Sequence, residues 1–316
     1  MGARIGVIGC GNWGRNHIRT LKEIGALCAI ADRDAERAAA FGQQYGVPAM
    51  TPEEAIASDG LDALVLALPV QAHAPTARAA FEAGKDVLIE KPVALDPAEA
   101  EKTALTAAKF ERIMMVGHVL RYHPIYQQVL DLVRSGRIGE PRHVISNRLA
   151  LGRFFTMDAV WDLAPHDLSQ VLPIAGEIPV KVETIRRKVL GDDTDSADIT
   201  LSFASGMTAE IHISRISPYR DRRFSVIGSE GMLVFDDLAP EGQKLAIYAH
   251  RVWREGSGFA CASAEPEFMA TQTGMPLERE LRHFIECVET RRAPLTGPEE
   301  AIETVRILSQ ASPVGA

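Results

Sequence analysis

Cysteine is scarce and scattered: Cys10, Cys28, Cys261 and Cys287 lie far apart and never form a Cys-x-x-Cys pair. Neither a disulfide framework nor a zinc knuckle is therefore expected, and no metal site is read from the sequence. Long hydrophobic runs are also lacking. A stretch such as Leu61 to Val70 is interrupted by Asp62 and falls well short of the roughly 20 apolar residues a membrane helix needs, so no membrane partner is expected. Positive charge is not in excess. Lys and Arg number 34 and Asp and Glu 42 in 316 residues, a formal charge of −8, which argues against nucleic acid as a partner. No basic leader with an apolar core precedes the strand-like stretch that opens at Arg4, so a cytoplasmic protein is expected. Repeats and low-complexity tracts are absent. With 46% apolar and 24% charged residues, what is left is an ordinary folded chain of one large domain or two moderate ones.

Through residue 122, short apolar runs alternate with alanine-rich stretches of helical period. The strand candidates are Arg4 to Ile8, Ala26 to Ala31, Ala63 to Ala67, Val87 to Ile89 and Ile113 to Val116. Helices are expected over Gly14 to Glu23, Ala35 to Tyr45, Ala74 to Ala83 and Pro97 to Phe110. Near-continuous apolar strands separated by helices describe a parallel sheet covered on both faces. The texture then changes. A helix over Ile125 to Ser135, a strand over His143 to Leu149 and a helix near Pro165 to Ile174 lead into β-type stretches. These are Val180 to Val189, Asp198 to Phe203, Met207 to Ser214, Arg223 to Ile227, Met232 to Phe235 and Lys244 to Ala249, with turns at Ser205-Gly206 and Ser229-Glu230-Gly231. Two helices, Leu277 to Thr290 and Glu299 to Ser312, close the chain, and Gly256 to Gly274 carries only a weak pattern. The expected division is a dinucleotide-binding domain at 1–122 and a substrate-binding and oligomerisation domain at 123–316, the latter a largely antiparallel sheet with helices on one face.

Gly9-Cys10-Gly11-Asn12-Trp13-Gly14 is G-x-G-x-x-G set between the first strand and the first helix. Gly9 permits the tight turn, Gly11 removes a Cβ from the path of a pyrophosphate, and Gly14 lets helix and strand approach. Asp32 ends the second strand 18 residues after Gly14, where a carboxylate can accept the ribose hydroxyls of an adenosine and repel a 2′-phosphate. NAD is the expected cofactor and NADP the less favoured one, with Arg33 working against that preference. Leu68, Pro69, His73, Glu90 and Arg121 join these residues as candidates for the cofactor crevice. The alternative is a tight structural turn with a surface aspartate.

Glu90-Lys91-Pro92 follows the fourth expected strand, at the carboxyl edge where open α/β sheets bind ligands, and the proline directs the chain after Lys91. Farther on, Asp162 and His166 stand four residues apart. On a helix they share one face, unless Pro165 starts the helix and spoils that geometry. An imidazole titrates near working pH and can take a hydroxyl proton in alcohol oxidation. The bland alternatives are a solvated lysine and a capping histidine.

These residues resemble, in order and spacing, the Gfo/Idh/MocA oxidoreductases: the glycine loop, Glu90-Lys91-Pro92, Arg121-Tyr122-His123-Pro124, and Asp162 to His166. The resemblance implies an α/β fold, an N-terminal Rossmann doubly wound parallel sheet followed by a C-terminal α+β open-faced sheet domain that builds a homodimer or homotetramer. It implies that Lys91, Asp162 and His166 are catalytic, with His166 the proton acceptor and Lys91 bonded to the reacting hydroxyl and to the cofactor. One departure stands before the helix, where many members carry a glycine-rich approach and this chain has Met157-Asp158-Ala159-Val160-Trp161. A narrower likeness, in Ser146 to Arg153, Trp161 to Asp167 and Gly228 to Asp237, is to nucleotide-sugar 3-dehydrogenases. It implies oxidation of the C3 hydroxyl of a UDP-N-acetylhexosamine, UDP-N-acetylglucosamine foremost, with the 3-keto product passed to a pyridoxal-phosphate aminotransferase of lipid A or surface-polysaccharide synthesis. A diphosphate calls for planar cations, and Arg121, Arg148, Arg153, Arg215, Arg220, Arg222 and Arg223 are available. Lys91, Tyr122, Arg148, Arg153, Asp162 and His166 are the substrate candidates. A dehydrogenase of a free polyol or monosaccharide is the nearest alternative, and an NAD-holding sensor or scaffold is the alternative of another class.

Overall fold

The computed structural model describes residues 2–152 and 157–313, except the side chain of Arg251. The chain divides into two compact units, Met1–Val119 with Met275–Ser309, and Leu120–Gly274 with Gln310–Ala316. The first crossing lies close to the boundary expected at residue 122. The return at Met275 was not expected, and it moves most of the two closing helices out of the second domain. An amphipathic helix shows that it has a buried face but not which layer receives it.

In the first unit the elements are β1 (Ile5–Ile8), α1 (Gly14–Glu23), β2 (Leu27–Ala31), α2 (Ala35–Tyr45), β3 (Ala49–Met50), α3 (Pro52–Ala57), β4 (Ala63–Leu66), α4 (Val70–Glu82), β5 (Asp86–Glu90), α5 (Pro97–Lys109) and β6 (Met114–Gly117). The strands are parallel in the order β3-β2-β1-β4-β5-β6. Strand order therefore reverses between β1 and β4, the switch point at which doubly wound sheets hold ligands. Every residue of β1, β4, β5 and β6 is buried, as a sheet covered on both faces requires. The two short elements, β3 and α3, were not foreseen: β3 has two residues, and α3 is fixed by local chemistry, Thr51 and Glu54 forming a capping box before Pro52. Helix α4 starts before the expected Ala74 despite Pro75. The proline removes one N–H to the Gln71 carbonyl, and burial of Val70, His73 and Ala74 outweighs that loss.

In the second unit, α6 (Pro124–Arg134), β7 (Pro141–Leu151) and α7 (Ala159–Ala175) precede β8 (Lys181–Arg187), β9 (Ser196–Ser202), β10 (Thr208–Ser214), β11 (Ile216–Gly228), β12 (Gly231–Asp236), β13 (Leu245–Glu255), β14 (Gly258–Ser263) and β15 (Glu267–Phe268). The sheet order is β14-β13-β12-β11-β7-β10-β9-β8, with β15 on β13. Among the described strands of this sheet only the β7–β10 pair is parallel, because β7 inserts between two later strands. Gly206, at a φ of +89°, makes the β9–β10 turn, a conformation that favours glycine. Ile199, Ile211, Ser146, Phe224 and Phe235 stand on one face in register, and α6 and α7 cover that face. The other face carries exposed Lys181, Glu183, Ile185 and Arg187 on β8. Strands β14 and β15 are exposed along nearly their whole length, so they lack the alternation by which strands are read. Helices α8 (Pro276–Thr290) and α9 (Pro298–Ala311) follow, and α8 packs against α1 in the first unit with Leu281, Phe284 and Cys287 buried. Among the described residues, no helix is long and apolar enough to cross a membrane.

Candidate active site

The glycines of the phosphate loop differ in what they serve. Gly9 has a φ of +104°, and a Cβ there would lie 2.3 Å from the Ala67 carbonyl oxygen; at Gly14 a Cβ would lie 1.8 Å from that of Gly9. Both are needed by the protein's own packing. A Cβ on Gly11 would meet nothing within 4 Å, so this glycine keeps the surface of the loop open. Helix α1 has Trp13 as its N-cap, with no side-chain cap bond and no acid in the first turn. Its positive end is thus left for an anion, and the loop fits the pyrophosphate of a dinucleotide. Asn12 is exposed, and Leu68 and Pro69 lie between β4 and α4, with Leu68 beside Gly9.

Asp32 stands one residue beyond β2. Its Oδ2 accepts from the Cys10 backbone N–H at 2.7 Å, and its Oδ1 from the Asp34 N–H at 3.0 Å and from Arg37 at 3.3 Å. Burial works to raise the Asp32 pKa, but the two N–H groups and Arg37 outweigh it and hold the carboxyl below the usual range. The cation that meets Asp32 is therefore Arg37, one turn into α2, while Arg33 is exposed. Sequence reading passed over Arg37, although its position on the first turn after Asp34 was visible. Burial first, then Asp32, push the Cys10 thiol up to about 12, so it stays protonated and inert.

Glu90 ends β5 and is buried, and half-buried Lys91 follows it. Glu90 Oε1 accepts from His17 Nε2 at 2.6 Å and from Trp13 Nε1, and its Oε2 accepts from the Lys91 N–H at 3.2 Å. The Lys91–Pro92 peptide is cis. His73 is buried on α4 and its Nδ1 donates to the Pro92 carbonyl at 2.8 Å, so it braces the turn after Lys91. Burial lowers the His73 pKa, and the Pro92 carbonyl works against that shift. Gly9, Asp32, Leu68 and Lys91 all follow the carboxyl ends of parallel strands, where the topology collects ligand contacts.

In the second unit, α7 begins at Ala159, earlier than expected, because Asp158 caps it: Oδ1 accepts from the Val160 N–H at 2.8 Å and Oδ2 from that of Thr194 at 3.1 Å. Pro165 sits inside the helix and does not start it, so Asp162 and His166 fall one turn apart on one face. From Trp161 to Gln170, only Asp162, Leu163 and His166 are not buried. Trp161 is buried and its indole donates to the Ser312 carbonyl at 2.9 Å, anchoring the first turn. Arg153 lies outside the described residues.

One turn beyond His166, Gln170 lines a cleft open to solvent, which is also bounded by His123, Arg148, Arg222, Arg223, Phe235 and Asp237. Arg148 is held by Asp167, a fully buried carboxylate that accepts from Nε at 2.8 Å and Nη2 at 3.1 Å and from Ser146 Oγ at 2.6 Å. Among the described residues, Arg222 pairs only with Asp237, at 3.7 Å. Burial, then the like charges of Arg148 and Arg220, lower its pKa against the pull of Asp237, the mark of a site with surplus positive charge. His123 caps α6, its Nδ1 accepting from the Ile125 N–H at 3.3 Å, and its ring packs on Phe235. Buried Arg121 donates to the Ser169 carbonyl at 3.4 Å, and buried Tyr122 follows it. Of two other arginines expected near a ligand, Arg215 is committed elsewhere, to Asp195 and the Met157 carbonyl, while Arg223 lines the cleft and pairs with Asp221. Sequence reading missed Asp167 and Gln170, whose signal was their helical spacing from His166.

The Gfo/Idh/MocA model for the NAD-binding Rossmann fold of an oxidoreductase family matches residues 3–118, and the model for the Gfo/Idh/MocA C-terminal domain matches residues 126–234. The chain is 32% identical over 237 residues to UDP-N-acetylglucosamine 3-dehydrogenase of Acidithiobacillus ferrooxidans, covering 74% of each chain. It is 28% identical over 309 residues to inositol 2-dehydrogenase of Rhizobium meliloti, covering 92% of this chain and 89% of that one. A solved structure of the Acidithiobacillus ferrooxidans enzyme superposes with a TM-score of 0.86 at 26% identity, over 98% of this chain and 97% of that chain. With the glycine loop, Asp32 and Lys91 at the carboxyl edge of the first unit's parallel sheet, and Asp162 and His166 on one helical face of the second, the chain belongs to the Gfo/Idh/MocA family and is an NAD-dependent oxidoreductase.

Proposed function

We propose that this protein oxidises the C3 hydroxyl of a UDP-N-acetylhexosamine, UDP-N-acetylglucosamine foremost, to the 3-keto sugar. One observation carries the reading: Asp162, His166 and Gln170 follow one another at four-residue steps on α7, so the candidate base stands on the stripe that leads into an arginine-bounded cleft. Arg148 and Arg222 offer planar N–H donors suited to a diphosphate, and a free polyol has no use for them.

In this reading His166 takes the hydroxyl proton, Asp162 orients the imidazole or the sugar, and Arg148 and Arg222 hold the diphosphate. Lys91 stabilises the developing alkoxide, an assignment that rests on the family likeness. The phosphate loop, Asp32, and the candidates Leu68, Pro69, His73, Glu90 and Arg121 hold the cofactor. NAD supplies the hydride acceptor. Asp32 favours NAD over NADP by charge, although Arg37 and Arg33 stand near it. The keto product suits a pyridoxal-phosphate aminotransferase of lipid A or surface-polysaccharide synthesis as the next step, a cytoplasmic one. A second copy is expected on the open sheet face.

The similarity to inositol 2-dehydrogenase favours a second reading, oxidation of a free polyol. Calorimetric titration with UDP separates the two. A nucleotide-sugar enzyme binds UDP, and an enzyme of free polyols ignores it. Absence of UDP binding would remove the first reading.

A further inference from the structure

Glu90 has a seat made for it. Its register partner on β6 is Gly117, where a Cβ would lie 3.1 Å from the Glu90 Cδ and Oε1, so the missing side chain leaves room for the carboxyl. Donors reach it from Trp13, the N-cap of α1, from His17 one turn on, and from the Lys91 backbone. Glu280 approaches from α8, which packs on α1. It is fully buried, and neither of its oxygens, nor His17 Nδ1, has a hydrogen-bond partner among the described residues.

We propose that Glu90 is a positioning residue that ties Lys91 to the phosphate loop through Trp13 and His17, and that Glu280 is the neutral acid that allows this clamp to exist in a dry interior. The inference rests on the reading of Lys91 as a reacting-site residue. Trp13 stands where α1 presents its positive end, so one carboxyl connects the anion-binding turn with the strand end that carries Lys91. A second ionised carboxyl beside it would have no donor for either oxygen and would repel the first. Burial first, and the Glu90 charge second, push Glu280 well above the usual carboxylate range. The titratable group whose charge acts on it is Glu90 from β5, which is bonded to His17 and followed along the chain by Lys91.

The sign of the pH dependence follows. A carboxyl whose proton is held more tightly in the fold lends its full stability below the ordinary carboxylate range and loses it as pH rises toward the raised value. Over that window the folding equilibrium falls by about tenfold per pH unit, and Glu280→Gln has no proton to lose. Denaturant unfolding of the full-length protein at pH 5 to 8 should show the stability of Glu280→Gln gaining steadily on the wild type. Parallel curves would overturn the neutral acid. Glu90→Gln should weaken NAD binding by about tenfold, and Trp13→Phe, which removes one donor and keeps the ring, should weaken it by less. NAD affinity unchanged in both would overturn the positioning role, and if Glu90→Gln does not fold, Trp13→Phe alone decides. None of these readouts uses a sugar, so a wrong substrate leaves them standing.

Discussion

Around the cleft of the second unit, a buried aspartate meets an arginine: Asp167 holds Arg148, and farther along the sheet Asp195 holds Arg215. Around the phosphate loop of the first unit, Glu90 meets an imidazole, an indole and a backbone N–H, and Glu280 meets no donor among the described residues. Under the proposed function, the difference follows from how each region attracts anions. In the first, backbone N–H groups and a helix end do it, and side-chain carboxyls only brace the loop, as Asp32 does through the Cys10 N–H. In the second, side-chain cations do it. A long guanidinium must be held in place to serve as a fixed donor, and a fully buried carboxylate holds it at small entropic cost.

That contrast can be broken by experiment. Arg148→Ala leaves Asp167 buried with Ser146 as its remaining donor and should lower unfolding free energy by about 3–5 kcal/mol in a denaturant titration. A loss below about 1 kcal/mol would mean that the pair is not a structural support. Arg222→Ala removes a guanidinium that no buried acid holds. It should leave stability within about 0.5 kcal/mol of wild type and weaken UDP binding by about tenfold. If Arg222→Ala unfolds the protein while Arg148→Ala does not, the roles assigned to the two arginines are reversed.

How much of this was readable from sequence also differs between the units. The parallel sheet was legible because strands buried on both faces read as continuous apolar runs, and Gly9, Gly14 and Asp32 were legible because backbone sterics and one hydrogen-bonding distance fix their spacing. Glu280 could not be found that way. It looks like any glutamate on an amphipathic helix, and nothing local reports that α8 returns to cover α1. In the second unit the four-residue step from Asp162 to His166 on α7 was legible, but the helix start was not, since Pro165 looked like a beginning and the cap is Asp158 with a remote bond to Thr194. The arginines were visible as a set. Only tertiary structure separates Arg148, Arg222 and Arg223, which line the cleft, from Arg215, which pairs with Asp195 away from it. Exposed β14 and β15 gave no pattern because neither face is buried.

The most direct test is to mix the purified protein with NAD and UDP-N-acetylglucosamine, or with myo-inositol, and follow reduction of the nicotinamide, with an aminotransferase present to draw off the ketone. Wild type should reduce NAD with the UDP-sugar and not with inositol. His166→Ala should lose roughly 100- to 10,000-fold in turnover while binding NAD normally. Full turnover by His166→Ala, or reduction with inositol alone, would contradict the account.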